Sequence, residues 1–138
     1  MSETLLDHIK ADSQIDAKDL EAELIKIPLL MRKYWSHARR MTSAIDKKEL
    51  ELNSKFNELF VYYTGQARGD IYRKNPLRKE LAGTTAKIQC ESLLLEDHIE
   101  LRQLKADLAL VEDMLKSIKD RQYIIRNIID YRRFNLTQ

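Results

Sequence analysis

Hydrophobic or small residues fall at Met31, Tyr34, Ala38, Met41, Ile45, Leu52, Phe56, Leu59 and Tyr63, in steps of 3, 4, 3, 4, 7, 4, 3 and 4. A 3–4 repeat sustained over this length predicts one amphipathic helix. No Gly or Pro interrupts residues 29–64, and Gly65 stands where a left-handed glycine ends a helix. At ~1.5 Å per residue such a helix runs about 54 Å, longer than a compact domain of this size is wide. Part of its apolar stripe therefore needs cover. A second repeat is stricter. Leu94, Leu101, Leu108, Leu115 and Ile129 share one heptad position, and Leu104, Val111, Ile118 and Ile125 share the position three later. This predicts a second long helix over about 92–134 with a coiled-coil seam. Its core or oligomer seam is Leu101, Leu104, Leu108, Val111, Leu115, Ile118, Ile125 and Ile129.

The rest of the chain is less regular. Residues 3–11 read as a short, weakly amphipathic segment. Asp16 has the character of an N-cap ahead of Leu20, Leu24 and Ile27. Pro28 either starts a new helix or kinks a continuing one. Residues 65–76 hold two of the three glycines and end in Asn75-Pro76, the clearest loop. Asn75 is placed to cap a short helix beginning at Pro76. For 84–90 the pattern leaves helix, loop and edge strand open. The expectation is an all-α fold in a single helical domain over 1–138. It has two long helices, about 29–64 and 92–134, with short N-terminal and connecting helices; the seams fit packing of the two within one chain, across chains as a helical homo-oligomer, or both.

Composition narrows the function. With 138 residues, 3 Gly, 2 Pro and 1 Cys, the chain lacks the turn glycines of a nucleotide-binding α/β domain and cannot form an internal disulfide. The acidic start has no signal-peptide order, and no apolar run approaches a membrane span. The expected location is the cytoplasm, with no membrane partner. Net charge is +2. That small figure is a cancellation: residues 1–27, 28–64, 65–88, 89–115 and 116–138 carry −4, +3, +4, −5 and +4. Basic blocks suit phosphate, and the acidic block 89–115 suits a subunit or protein contact.

No residue set points to catalysis, a metal or a cofactor. His8, His37 and His98 are scattered, Asp97-His98 and Glu100 read as an exposed polar face, and Cys90 reads as a small packing residue. The expectation is a non-enzyme without cofactors. A basic stripe is more informative. Lys33, Arg40, Lys47, Lys48 and Lys55 occupy one arc of the first long helix and lead to Tyr62-Tyr63. Arg68, Arg73, Lys74, Arg78 and Lys79 follow, with Tyr72 among them. Cations that track a backbone and aromatics that stack on bases are what single-stranded nucleic acid needs. Glu51 and Glu58 lie in the same arc, as they would on an ordinary solvated face with (i, i+4) pairs. The candidate nucleic-acid-binding residues are Lys47, Lys48, Lys55, Tyr62, Tyr63, Arg68, Arg73 and Lys74. A coiled-coil adaptor binding only proteins is the competing reading.

Three stretches carry a family resemblance: Lys33-Tyr34-Trp35-Ser36-His37; Tyr62-Tyr63-Thr64-Gly65-Gln66-Ala67-Arg68-Gly69; and Ser117-Ile118-Lys119-Asp120-Arg121 with Ile125-Arg126-Asn127-Ile128 and Arg132-Arg133-Phe134. In order and spacing the chain resembles the UvsY-type recombination mediators of tailed bacteriophages. The resemblance implies a non-enzymatic, ring-forming homo-oligomer that binds single-stranded DNA. It implies two protein partners, the phage recombinase and the phage single-strand DNA-binding protein. Its role would be recombinase loading in recombination, repair and replication, in the host cytoplasm. The family motif places basic residues about one turn before the tyrosine pair. Here Asn57 and Leu59 stand there. Lys47, Lys48 and Lys55, with Arg68 and the 73–79 cations, would supply the charge instead.

Overall fold

The computed structural model describes residues 2–137, and among them only helices form regular structure. The order is α1 (Ser2–Asp12), α2 (Leu20–Tyr63), α3 (Gly69–Lys74), α4 (Gly83–Leu93) and α5 (Leu95–Thr137). Two compact units divide the chain. One comprises residues 1–42 and 106–138, the other 43–105.

The first unit is built on α1, the leading part of α2 and the trailing part of α5. The α2 N-cap is Asp19, whose Oδ1 accepts from Ala22 N–H at 3.0 Å. Asp16, the expected cap, instead closes a tight turn by accepting from Lys18 N–H at 3.0 Å. Pro28 neither starts nor ends a helix but sits inside α2. An interior proline costs about 3 kcal/mol. Burial of its neighbours opposes that cost, because Leu20, Leu24, Ile27, Leu30 and Met31 all face the core while Pro28 itself is exposed. Tertiary packing has overridden local propensity, so α2 begins nine residues before the expected 29.

The core of this unit is Leu5, Leu20, Ile27, Tyr34, Val111, Met114, Ile118 and Ile125. Val111, Ile118 and Ile125 of the expected seam are fully buried. Leu115 and Ile129 are half-buried at its margin, and Met114 and Arg121 are buried beside them. The buried line on α5 is thus 111, 114, 118, 121, 125. A straight helix drifts about 20° per heptad against a strict seven-residue repeat, which carries the 108/115 position toward the edge.

A polar cluster ties the three helices together. Asp12 Oδ2 accepts from Tyr34 Oη at 2.7 Å and from Lys33 Nζ at 2.6 Å. Burial pushes the Asp12 carboxyl up, but the hydrogen bonds from Lys33 and Tyr34 and the charge of Lys33 outweigh it and hold it below the ordinary range. Burial, with the bond to Asp12, raises the Tyr34 hydroxyl well above its usual value. Arg121 Nη2 donates to the Asp12 carbonyl at 2.7 Å, and Arg132 Nη2 to the Ala17 carbonyl at 3.1 Å, pinning the α1–α2 connection. Glu23 is buried with Arg121. The hydrogen bond from Lys26, at 3.0 Å, holds its carboxyl below the usual range against the opposing effect of burial.

In the second unit, α2 ends in a Schellman motif. Gln66 N–H donates to Val61 O at 3.0 Å and Gly65 N–H to Tyr62 O at 3.2 Å. Gly65 has φ of 79°, the left-handed conformation this motif needs. The expected 65–76 loop contains the short helix α3. Asn75 does not cap a helix starting at Pro76. It closes α3, donating to Ile71 O at 2.9 Å, and 76–82 is irregular. The segment left open at 84–90 is helical, within α4. Leu94 separates α4 from α5 as a single non-helical residue, so the second long helix starts at 95 and reaches 137 rather than spanning 92–134. Ile45, Leu52, Ala86, Cys90 and Leu94 are the buried apolar residues of this unit. Leu101 and Leu104 of the expected seam are half-buried here, as Leu108 is in the first unit. Cys90 is a free, buried packing residue whose thiol is pushed up by burial.

Candidate nucleic-acid interface

Within the second unit, the last turns of α2 carry Tyr62 and Tyr63. The chain then turns at Gly65, and α3 brings Tyr72 back against them. Tyr62 and Tyr72 stack with centroids 5.4 Å apart and 24° between planes, while Tyr63 meets Tyr62 edge-on at 5.0 Å. Tyr62 Oη donates to the Asn75 carbonyl at 2.9 Å. Tyr72 Oη donates to the Tyr62 carbonyl at 2.8 Å and accepts from Ala67 N–H at 3.1 Å. The Leu81 N–H closes the excursion by donating to Tyr63 O at 2.9 Å. These tyrosines therefore staple α3 to the end of α2. Tyr62 and Tyr72 cover one face of each other, which leaves a base only their outer faces and edges.

Cations surround this staple. Arg68, Arg73, Lys74, Arg78 and Lys79 are all exposed. Arg68, with its side chain 87% exposed, has one loose pair, to Asp70 at 3.6 Å. Arg73 and Lys74 lie in the last turn of α3, where the helix dipole favours positive charge. Beside them an open cleft of about 820 Å³ is lined by Leu59, Val61, Tyr62, Tyr63, Arg68 and Ile71, with Asn57 on its wall. Asn57 and Leu59 are the positions at which the resemblance implied basic residues.

The cations farther up α2 divide. Lys47 is exposed and has no partner among the described residues. Lys48 does not point to solvent. Its ammonium lies 2.9 Å from Glu100 and 3.0 Å from Asp97, and these two hydrogen bonds raise its pKa to about 12. Lys55 reaches the same Asp97 at 3.5 Å. The Lys48 hydrogen bond holds the Asp97 carboxyl below its usual range. The Asp97-Glu100 stretch, expected as a merely exposed polar face, thus neutralises part of the basic stripe. Glu49 and Lys105 repeat the arrangement at 3.0 Å. The signal for this pairing was the acidic block 89–115. Its partner lies some 50 residues away and is not visible in the local pattern.

Among the described residues no cluster of His, Cys, Asp or Glu could hold a metal ion, and no helix is long and apolar enough to cross a membrane. The arrangement is a display of exposed cations on a small aromatic-stapled scaffold, suited to binding a polyanion.

Known proteins place this architecture. No curated protein sequence matches the chain. Crystal structures of the bacteriophage T4 recombination mediator protein UvsY do match in fold. One has a TM-score of 0.85 at 21% identity, covering 97% of this chain and 96% of that one. A second has a TM-score of 0.83 at 22% identity, covering 96% and 97%. A family profile described as "Recombination, repair and ssDNA binding protein UvsY" matches residues 8–137. Spanning nearly the whole chain, that match establishes that the chain belongs to the UvsY family.

Proposed function

We propose that the chain is a single-stranded DNA-binding recombination protein that helps load a recombinase onto DNA coated by a single-strand binding protein. Membership of the UvsY family supports the DNA-binding and recombination role. The observation that carries the assignment to this chain is the exposed cation set Arg68, Arg73, Lys74, Arg78 and Lys79, which the tyrosine staple holds in one small unit. Lys47 extends the set, and Lys48 and Lys55 contribute less because Asp97 and Glu100 neutralise them. Exposed apolar side chains on α5, among them Tyr123, Ile124 and Tyr131, support assembly of copies into a ring. Repetition around such an assembly multiplies a weak site through effective concentration. DNA held across several copies is less available to a competing coat protein, which is how the mediator would open the strand to the recombinase.

The test is the anisotropy of end-labelled oligo-dT titrated with the protein at two salt concentrations. Five phosphate contacts on a single strand give a log–log salt slope of about −3.5, so affinity falls about 100-fold between 50 and 200 mM salt. Joint Arg73→Gln and Lys74→Gln changes flatten that slope by about 1.4. Absence of binding at the lower salt overturns the proposal. Light scattering that finds only monomer at micromolar protein overturns the ring.

A further inference from the structure

The first unit displays a second surface with the chemistry of a base-stacking site. Trp35, on α2, is the sole tryptophan of the chain and is 60% exposed. A solitary exposed indole loses favourable burial, so its surroundings decide what it suits. Arg32 lies three residues before it and Arg39 four residues after it, which places both on the same helix face about 40–60° around from the indole. Both arginines are exposed, and neither has an ion-pair or hydrogen-bond partner among the described residues. Arg40, also exposed, bonds only the Ser36 carbonyl of its own helix, at 3.5 Å. The neighbours Lys33 and Tyr34 face away from this surface and are engaged with Asp12.

The charge around this face is one-sided. Between Glu23 and Asp46, α2 carries Lys26, Arg32, Lys33, Arg39 and Arg40 and no carboxylate. Lys26 is neutralised by Glu23 and Lys33 by Asp12. What stays uncompensated is an indole with guanidinium groups on its own side of the helix. A flat aromatic face beside cations that reach phosphates is the combination that holds single strands without reading sequence. An acid-free face also disfavours a basic partner. Ile25 and Leu29 are exposed on the adjoining arc, about 80–120° around from the indole, so a second copy of the chain is the rival occupant. Uncompensated arginine charge one turn before and one turn after the indole argues for the anion.

We propose that Trp35, with Arg32 and Arg39, forms a second contact for single-stranded nucleic acid, the indole stacking on a base and the guanidinium groups meeting the flanking phosphates. This rests on the DNA-binding reading above but places a contact outside the 65–79 region.

The lone indole supplies its own reporter. The full-length protein is titrated with oligo-dT, following indole emission and, separately, the anisotropy of end-labelled DNA. The expected result is quenching that saturates together with anisotropy. Trp35→Ala weakens binding about fivefold or more, and Trp35→Phe keeps it within about threefold. Arg32→Gln with Arg39→Gln, which leaves the apolar side chains in place, flattens the salt slope by about 1.4 with the particle mass unchanged. If the wild-type protein binds DNA by anisotropy while emission stays constant and Trp35→Ala binds equally well, the contact is refuted and the DNA-binding reading stands. If the wild-type protein binds no DNA, both fail together. If Trp35→Ala lowers the particle mass while the double arginine variant binds normally, the face joins copies of the chain and the inference is overturned.

Discussion

Removing the Tyr34 hydroxyl gives the sharpest test of what holds α1 in place. The ring is 0% exposed, and its hydroxyl donates to Asp12 Oδ2 at 2.7 Å. A hydrogen bond to a charged acceptor contributes about 1.5–3 kcal/mol. Tyr34→Phe leaves no stranded donor, and Asp12 keeps Lys33 at 2.6 Å. The low end therefore applies, about 1.5–2 kcal/mol. Asp12→Ala removes the acceptor from a buried hydroxyl and the counter-charge from Lys33, so about 2–3 kcal/mol is expected. Lys33 is about one-third exposed, which screens its share of the attraction. A cycle combining the two substitutions then gives a coupling of about 1–2 kcal/mol. The pH dependence fixes the sign. The Asp12 carboxyl lies below its ordinary 3.8 in the folded protein, so the unfolded chain takes up this proton first as pH falls. The contribution is full above pH about 4 and drains away as pH drops through the lowered folded value. Protonation leaves only a neutral hydrogen bond, so the Tyr34→Phe deficit shrinks toward about 1 kcal/mol. Urea unfolding at pH 7 and pH 3, at one fixed protein concentration because assembly adds stability, measures both. A Tyr34→Phe cost under about 0.5 kcal/mol, or a deficit that grows on acidification, refutes this reasoning.

Gly65→Ala should destabilise the protein by about 1–2 kcal/mol through its φ of 79°, read as a lower urea midpoint. The added methyl also meets the Glu80 side chain, which is long enough to swing aside, so Glu80→Ala should rescue little of the loss. Arg121→Ala leaves the Asp12 carbonyl without its charged donor and removes a positive charge acting on buried Glu23, and should cost about 2–3 kcal/mol by the same assay. Lys48→Gln should leave oligo-dT affinity within about twofold while Lys47→Gln weakens it and flattens the salt slope by about 0.7, since only Lys47 is unpaired. Equal losses from both would return Lys48 to the interface.

How far the sequence reveals this molecule depends on the range of each interaction. The repeat that placed Val111, Ile118 and Ile125 on one face is local, and all three are fully buried. Arg121 lies on the same face, yet its charge hid it. Its burial depends on the Asp12 carbonyl, 109 residues away. Pro28 misplaced a boundary because proline speaks to the local backbone, while Leu24, Ile27, Leu30 and Met31 are held by the core. The Gly65 stop was legible because the need for a left-handed residue is local. The same divide runs through the candidate site. The basic stripe could be read from α2 alone, but Asp97 and Glu100, which withdraw Lys48 from it, stand on α5. Tyr62 and Tyr63 were legible as aromatics beside cations. Their role as a staple came from Tyr72 and Asn75, across a turn with no repeat to read.

Pro28 has a further consequence, for dynamics. Each helical turn is tied to the next by hydrogen bonds from residue i to i−4, and proline has no N–H to give the Leu24 carbonyl. At that point α2 is perforated. The leading turns, residues 20–27, can open with one bond fewer to break than any equal stretch downstream. What restrains them is side-chain burial at Leu20, Glu23 and Ile27. Local opening there would release the α1 connection first and leave the helix beyond Pro28 wound. Amide exchange should register this as a step in protection at residue 28, making the proline a hinge in time in a helix that continues through it in space.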